Sequence, residues 1–404
     1  MCMKRILIVT EIFHPENGLV NDFAQELVRR GYQVEVLTQH PSYPYGKIFD
    51  GYTNDYYSVQ TWEGITIHRF KTVEGYRESK IRKILKYWTF VRIGKKIARK
   101  IGGNYDHVLV YQTGPLTLAL PAVALKKKYG TPLTIWTFDI WPDAVYAYGF
   151  PKVFPLTSFL NHIIRKVYRN SDNILVSSRK FADVIDPYVP GRKIDYAPNW
   201  LISEPKKPAT LQLSPDTFHF TFAGNISVSQ NLGNVLSGWK RAKLQNADLN
   251  IVGEGSALDR LKRQVLEQNI PNVRFHGRYP SCQIDDILRQ SDVLVLPLIS
   301  DPGIQKTEPF KLQSYLQAGK PIFGVLDGAA HEIIEENRLG LCASPDNPTD
   351  IAQKFAEIRK QVAQDTYRDI DQRAHRLLDT RFNKETTLAK IFCLIDPEQK
   401  TCKS

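Results

Sequence analysis

Short β-branched and aliphatic runs recur along this chain, each followed by a stretch of helix length with apolar residues three and four positions apart. The runs at 6–10, 34–38, 108–111, 133–138 and 174–177 predict strands in the first half. Those at 218–223, 249–252, 273–276, 293–297 and 321–326 predict strands in the second. Their near-continuous apolar character fits strands covered on both faces, as in parallel sheets with helical crossovers. Residues 61–71 differ. Glu63 and Gly64 form a turn near the start of that stretch, which predicts an antiparallel hairpin inserted in the first sheet.

Residues 199–215 break the alternation with Pro205, Pro208 and Pro215 among Lys and Ser, and mark a domain boundary. After about Ile351 only helical patterns remain, a tail that either caps the second domain or crosses back to the first. The expectation is an α/β protein of two Rossmann-like domains facing each other across a cleft. Their bounds are 1–200 and 201–375, and 376–404 is a helical segment. Open parallel sheets bind ligands beyond the carboxyl ends of their strands, so two of them make a ligand cleft.

Composition narrows the partners. The 404 residues carry a formal charge of +12, which favours anionic partners: nucleic acid, a lipid headgroup surface or phosphorylated small molecules. No recognised nucleic-acid module accompanies the charge, and the expectation is no nucleic acid. Cys2, Cys282, Cys342, Cys393 and Cys402 are scattered, without a CxxC pair. They read as reduced cytosolic thiols, with no metal site. No segment approaches the roughly 20 apolar residues of a transmembrane helix.

Three segments carry candidate chemistry. The first strand runs into Glu11, His14, Pro15, Glu16, Asn17 and Gly18 before a helix, a strand-to-helix turn where amides can approach an anion. The second half opens with a strand and the amide-rich loop Gly224, Asn225, Gln230, Asn231, and the next strand ends in Gly253, Glu254 and Gly255. This repeated device suits a diphosphate or sugar hydroxyls. The third segment runs from Asp301 through Lys306, Thr307, Glu308, Pro309, Lys311, Gln313 and Ser314 to Gly319. Pro309 suits a first helical position, which puts Lys306 and Lys311 near a helix N-terminus. Lysine there opposes the helix dipole unless an anion is bound.

The set and order of these motifs resemble the bacterial glycosyltransferases of family 4, with the GT-B fold. The likeness is to enzymes of O-antigen, capsule and exopolysaccharide assembly, the fucosamine-transferring group included. It is carried by 13–16, 27–38, 41–44, 139–143, 223–225, 251–255, 311–315 and 319–322.

The resemblance implies an acceptor-binding first domain and a second domain that binds a nucleotide-sugar, with UDP as the base-rate nucleotide. It implies a retaining, metal-independent hexosyl or N-acetylhexosaminyl transferase with no cofactor. Gly18, Asn225, Gln230, Asn231, Gly253, Glu254, Arg278, Tyr279, Thr307, Gln313 and Ser314 would meet the donor. Asp139, Lys306, Lys311 and Glu308 would act in catalysis. His14, Glu16 and Asn17 would lie on the acceptor side. Lys306 and Ser314 stand where many relatives carry a Glu-x7-Glu motif, and Glu308 is an out-of-register substitute. Without a carboxylate nucleophile the implied reaction is front-face, the leaving phosphate helping to deprotonate the acceptor.

Residues 77–101 form a basic amphipathic stretch, with Ile81, Ile84, Leu85, Trp88, Val91, Ile97 and Ile101 as its stripe. Residues 150–169 form a second. Each stripe either packs on its own sheet or lies on an anionic bilayer. The bilayer reading implies a cytoplasmic protein, peripheral on the inner face of the membrane, with a lipid-linked saccharide acceptor. A soluble acceptor, nucleotide-sugar epimerisation and an inactive partner subunit are the alternatives.

Overall fold

The computed structural model describes residues 3–147, 150–202 and 205–397. The chain divides into two units. The first runs to Ala197 and resumes at Glu385; the second is Pro198–Lys384.

The first unit is built on β1 (Arg5–Thr10), β2 (Gln33–Gln39), β3 (Tyr57–Trp62), β4 (Ile65–Phe70), β5 (His107–Gln112), β6 (Leu133–Thr137), β7 (Asn173–Val176) and β8 (Ile194–Tyr196). Its sheet order is β3-β4-β2-β1-β5-β6-β7-β8, parallel except for β3, which pairs antiparallel with β4 through the Glu63–Gly64 turn. The short edge strand β8 escapes the sequence pattern because three residues are too few to show a period. β1, β5 and β6 are buried almost throughout, as strands covered by helices on both faces must be.

One charge inside this sheet, Glu35, is closed off by pairing. Glu35 on β2 accepts from His68 Nε2 at 2.8 Å, Arg5 Nη2 at 2.6 Å and the Tyr105 hydroxyl at 2.8 Å. Burial pushes this carboxyl up, but the three donors outweigh it and hold it at about 2.

The helix Lys80–Ile101 divides into a covered face and a bare one. Phe90, Gly94, Ile97 and Ala98 are buried, and a Cβ at Gly94 would stand 2.9 Å from Pro121 of the next helix. On the opposite face, toward the N-terminus, apolar residues are bare: Ile81 is 78% exposed, Trp88 53% and Ile84 51%. On the second basic stretch, residues Val153, Phe154 and Phe159 are exposed while Leu160, Ile163, Ile164 and Val167 of the helix Leu156–Asn170 are buried.

The last helix, Lys384–Ile395, packs within the first unit. Phe392 stacks with Tyr32 at 6.1 Å, and Asp396 accepts from Lys4 Nζ at 2.5 Å and the Tyr32 hydroxyl at 3.0 Å.

The second unit is built on β9 (Phe218–Ala223), β10 (Ala247–Val252), β11 (Val273–Gly277), β12 (Val293–Pro297), β13 (Ile322–Val325) and β14 (Gly340–Ala343), ordered β11-β10-β9-β12-β13-β14 and parallel throughout. The proline-rich stretch belongs to this unit. Ala209 N donates to Asp286 Oδ2 at 2.8 Å and Leu213 N to Gln290 Oε1 at 2.9 Å. The core gathers around Phe355, whose ring meets Phe220, Trp239 and Phe323 at centroid distances of 4.5–5.2 Å.

One sequence expectation is corrected. Cys282 and Cys342 are free thiols, but Cys393 is disulfide-bonded, which the scatter of cysteines along the sequence had given no reason to expect. Cys2 and Cys402 lie outside the described residues. No helix among the described residues is long and apolar enough to cross a membrane.

The Phe355→Ala variant removes the ring on which three aromatic partners converge. It is expected to cost about 3–5 kcal/mol and to lower the unfolding midpoint of the second unit in a denaturant titration.

Candidate functional site

Polar residues gather beyond the carboxyl ends of the central strands in both units. In the second unit the turns after β9 and β10 lie directly on one another. Gly253 has a φ of 141°, and a Cβ there would stand 1.9 Å from the Gly224 carbonyl oxygen. Only glycine fits this position. Gly224 N donates to Val252 O at 2.9 Å, Ile226 N to Glu254 O at 2.8 Å and Gly253 N to Gly277 O at 2.7 Å. These bonds stack the three loops after β9, β10 and β11.

Lys311 reaches into this stack from the first turn of the helix Phe310–Ala318. Its Nζ donates to Gln230 Oε1 and lies 4.5 Å from the centre of the Phe222 ring. Its chain occupies the space that a Cβ on Gly224 would fill. Burial pushes the ammonium down to about 7 from an ordinary 10.5. A partly buried cation at a helix N-terminus, beside two glycine turns, is an electrostatic deficit that an anion would fill.

Other candidate residues of this unit divide in two. Asn225, Glu254 and Arg278 are exposed at the loop tips, with Tyr279 half-buried beside them. Lys306 lies in the 3-10 turn Ile304–Lys306, and the Thr307 hydroxyl donates to Ile304 O at 2.7 Å. The rest are turned to packing. Glu308 is buried and accepts from Arg381 Nη2 at 2.8 Å, so this carboxylate serves an internal ion pair. Gln313 is buried and accepts from Asn199 Nδ2 at 3.0 Å, while Ser314 is half-buried on the same helix. Asn231 donates to Pro345 O at 2.7 Å and holds the loop after β14.

In the first unit the structure assembles a cluster that the sequence reading mostly missed. Lys86 is 3% exposed at its side chain and pairs with Glu11 at 2.6 Å, its Nζ 3.8 Å from the centre of the Tyr76 ring. Glu11 follows β1 and Asp139 follows β6, and Gln112 Nε2 at the end of β5 donates to Asp139 O at 3.0 Å. Burial pushes the Asp139 carboxyl up to about 7; the nearby Glu11 charge adds to the rise and Lys83 opposes it. Lys86 had read as one more charge on a basic helix face. Nothing in its sequence neighbourhood distinguishes it.

Glu16 is buried, and its carboxylate accepts from Ser42 N at 2.9 Å, Tyr43 N at 2.7 Å and Phe13 N at 3.2 Å. It ties the turn after β1 to the aromatic loop after β2. His14 stacks on Trp62 at 4.2 Å, and Asn17 is exposed. Gly18 has φ −174°, extended backbone that any residue adopts, and a Cβ there would meet only Val20 at 3.8 Å. The protein's own packing does not require that glycine.

Lys311 and Asp139 give opposite pH signatures of stability. Between about 7 and 10.5 the native Lys311 has lost a proton that the unfolded chain keeps, so stability rises with pH through that window. Between 3.8 and about 7 the native Asp139 keeps a proton that the unfolded chain has lost, so stability falls with rising pH. Lys311→Met is therefore expected to be more stable than the parent at pH 6, the gap closing toward pH 10. Asp139→Asn should be the more stable at pH 8, the gap closing toward pH 3. Each gap is of the order of 1–2 kcal/mol after solvent screening, read from urea titrations at the stated pH values.

Both units have counterparts among known proteins. Residues 203–376 match the family model "Glycosyl transferases group 1", and residues 19–200 match "Glycosyl transferase 4-like domain". The chain is 24% identical over 263 residues to the probable glycosyltransferase WbjE of Pseudomonas aeruginosa, covering 62% of this chain and 66% of that protein. It is 22% identical over 310 residues to WcaI of Escherichia coli, a putative colanic acid biosynthesis glycosyl transferase, covering 71% and 75%. Among solved structures, Anabaena Alr3699/HepE in complex with UDP superposes with a TM-score of 0.65 at 14% identity, over 96% of this chain and 98% of that one. With a 4-like N-terminal domain and a group 1 C-terminal domain, the chain belongs to the GT-B glycosyltransferases.

Proposed function

We propose that this glycosyltransferase moves a sugar, with retention, from a UDP-linked donor to a saccharide carried on polyprenyl diphosphate, in bacterial surface polysaccharide synthesis. The observation that carries the donor half is Lys311. Its uncompensated charge lies at a helix N-terminus against the stacked Gly224 and Gly253 turns, a setting that suits a diphosphate. The UDP bound to the Anabaena protein supports uridine as the base. Exposed Asn225, Glu254 and Arg278 rim the same loops and would contact the rest of the nucleotide-sugar.

In this reading the bond from the anomeric carbon to the β-phosphate oxygen breaks as the acceptor oxygen attacks from the same face. Lys311 and the loop amides hold the charge that develops on the leaving diphosphate, and a phosphate oxygen takes the acceptor proton. Lys306 and Thr307, on the turn before the same helix, complete the donor contacts. In the first unit Asp139, with Glu11 and Lys86 behind it, orients the acceptor hydroxyl. The glycosidic linkage replaces the phosphate ester without a covalent enzyme intermediate.

The bare apolar face of Lys80–Ile101, set among lysines and arginines, favours a lipid-borne acceptor over a soluble one, as do exposed Phe154 and Phe159. Such a surface suits the anionic inner leaflet of a bacterial membrane. The name of the Escherichia coli relative, which refers to colanic acid, supports a polysaccharide pathway.

The first test is thermal stabilisation by UDP, GDP, dTDP and ADP, with magnesium or with chelator. UDP at about 100 times its dissociation constant should add about 2.7 kcal/mol in either condition, and Lys311→Met should abolish the shift. No shift with any nucleotide would overturn the donor site and return the chain to the inactive-subunit reading. For the membrane half, the protein should float with vesicles containing phosphatidylglycerol and not with pure phosphatidylcholine. The Ile84→Asp/Trp88→Asp double variant should lose at least about tenfold in vesicle affinity, from lost apolar burial. Equal flotation of parent and variant would remove the lipid-facing role.

A further inference from the structure

A cluster of ligand-type side chains lies at the edge of the second sheet, apart from every residue used above. His331 and Glu335 are four apart on the helix Ala329–Glu336, so both project from one face toward β14. Cys342, on β14, is buried beneath them. A ring nitrogen of His331, a carboxylate oxygen of Glu335 and Cys342 Sγ all lie within 4.8 Å of one another.

Each of the three is held by a neighbour that leaves a ligating atom available. His331 Nδ1 faces Leu326 O at 3.3 Å, the kind of backbone contact that orients metal-binding imidazoles and assigns ligation to the other ring nitrogen. Glu335 Oε1 accepts from Cys342 N at 3.0 Å, which pins the carboxylate beside the sulfur and leaves Oε2. Gly324 on β13 makes room for the sulfur, since a Cβ there would stand 2.7 Å from Cys342 Sγ. The helix itself is anchored at Gly328, where a Cβ would stand 2.0 Å from the Gln305 carbonyl oxygen.

We propose that His331, Glu335 and Cys342 form a binding site for a transition-metal ion of the zinc class. Imidazole nitrogen, carboxylate oxygen and a sulfur ligand suit zinc or cobalt, and a sulfur-containing set disfavours magnesium and calcium. Tetrahedral zinc ligands stand roughly 3.3–3.8 Å apart, so rotations of about 1 Å would close the triad on an ion. Binding displaces the Cys342 thiol proton to solvent as the sulfur–metal bond forms, and the fourth position takes water. The site is independent of the donor reading, because it shares no residue with it. Asp327, just before the helix, accepts from Gln305 Nε2 at 3.3 Å, which links this corner to the 3-10 turn Ile304–Lys306. A bound ion would therefore brace the base of that turn.

The test uses the full chain, stripped with a chelator and titrated with Co2+ as the optical probe. The expected result is a thiolate-to-cobalt charge-transfer band that saturates at one equivalent. Zn2+ should displace it at one equivalent, and Mg2+ should not. Cys342→Ser should abolish the band, and His331→Gln, at a partly exposed position, should weaken cobalt binding at least tenfold with the fold intact by circular dichroism. Cys282→Ser should leave it unchanged. Absence of the band in the parent would overturn the site, as would its persistence in Cys342→Ser or its loss in Cys282→Ser. UDP stabilisation of the Cys342→Ser variant, measured alongside, separates failure of this site from failure of the donor reading.

Discussion

A parallel strand covered by helices on both faces has almost nowhere to place a polar side chain except beyond its ends. That constraint organises each unit of this protein. β1, β5 and β6 in the first unit, and β9, β10 and β12 in the second, are buried almost throughout. Glu11, Gln112 and Asp139 then appear in the first residues after, or the last residue of, their strands. The glycines 224 and 253 follow theirs in the same way. Glu35, a charge inside the first sheet, accepts from three donors and serves the fold.

Beyond the strand ends the two units hold opposite electrostatic problems. The second presents a partly buried ammonium, Lys311, with a neutral amide as its hydrogen-bond partner. The first presents a carboxyl, Asp139, whose ionisation is opposed by burial and by Glu11. A fold selected for stability alone would leave neither, since each shift is a cost in at least one protonation state. Set against the internal pair of Glu308 with Arg381, they show how similar side chains come to differ by what surrounds them.

The helix Lys80–Ile101 makes the same point for apolar surface. A buried face runs from Lys86 through Phe90 and Gly94 to Ile97, and the exposed Ile81, Ile84 and Trp88 lie on the face opposite to it. Periodicity reports which residues share a face; which face is covered is a property of the rest of the molecule.

Much of the architecture was legible in the sequence, because burial on both faces writes itself as apolar runs and helical crossovers as a 3.6-residue period. Ten strands, the hairpin at Glu63–Gly64 and the helical tail follow from that alone, while three-residue β8 and the Gly-Leu-Cys-Ala strand β14, with few β-branched residues, left no signature. The glycine turns and Lys311 were legible too, since glycine before a helix and lysine at a helix start are local anomalies. What only the tertiary structure decided was partnership between separate elements. Glu11 with Lys86, Glu308 with Arg381, and Cys342 with His331 and Glu335 are joined by topology. Whether a carboxylate is a candidate acid, a salt-bridge partner or a metal ligand depends on what the fold brings within about 4 Å of it, and no local pattern carries that information.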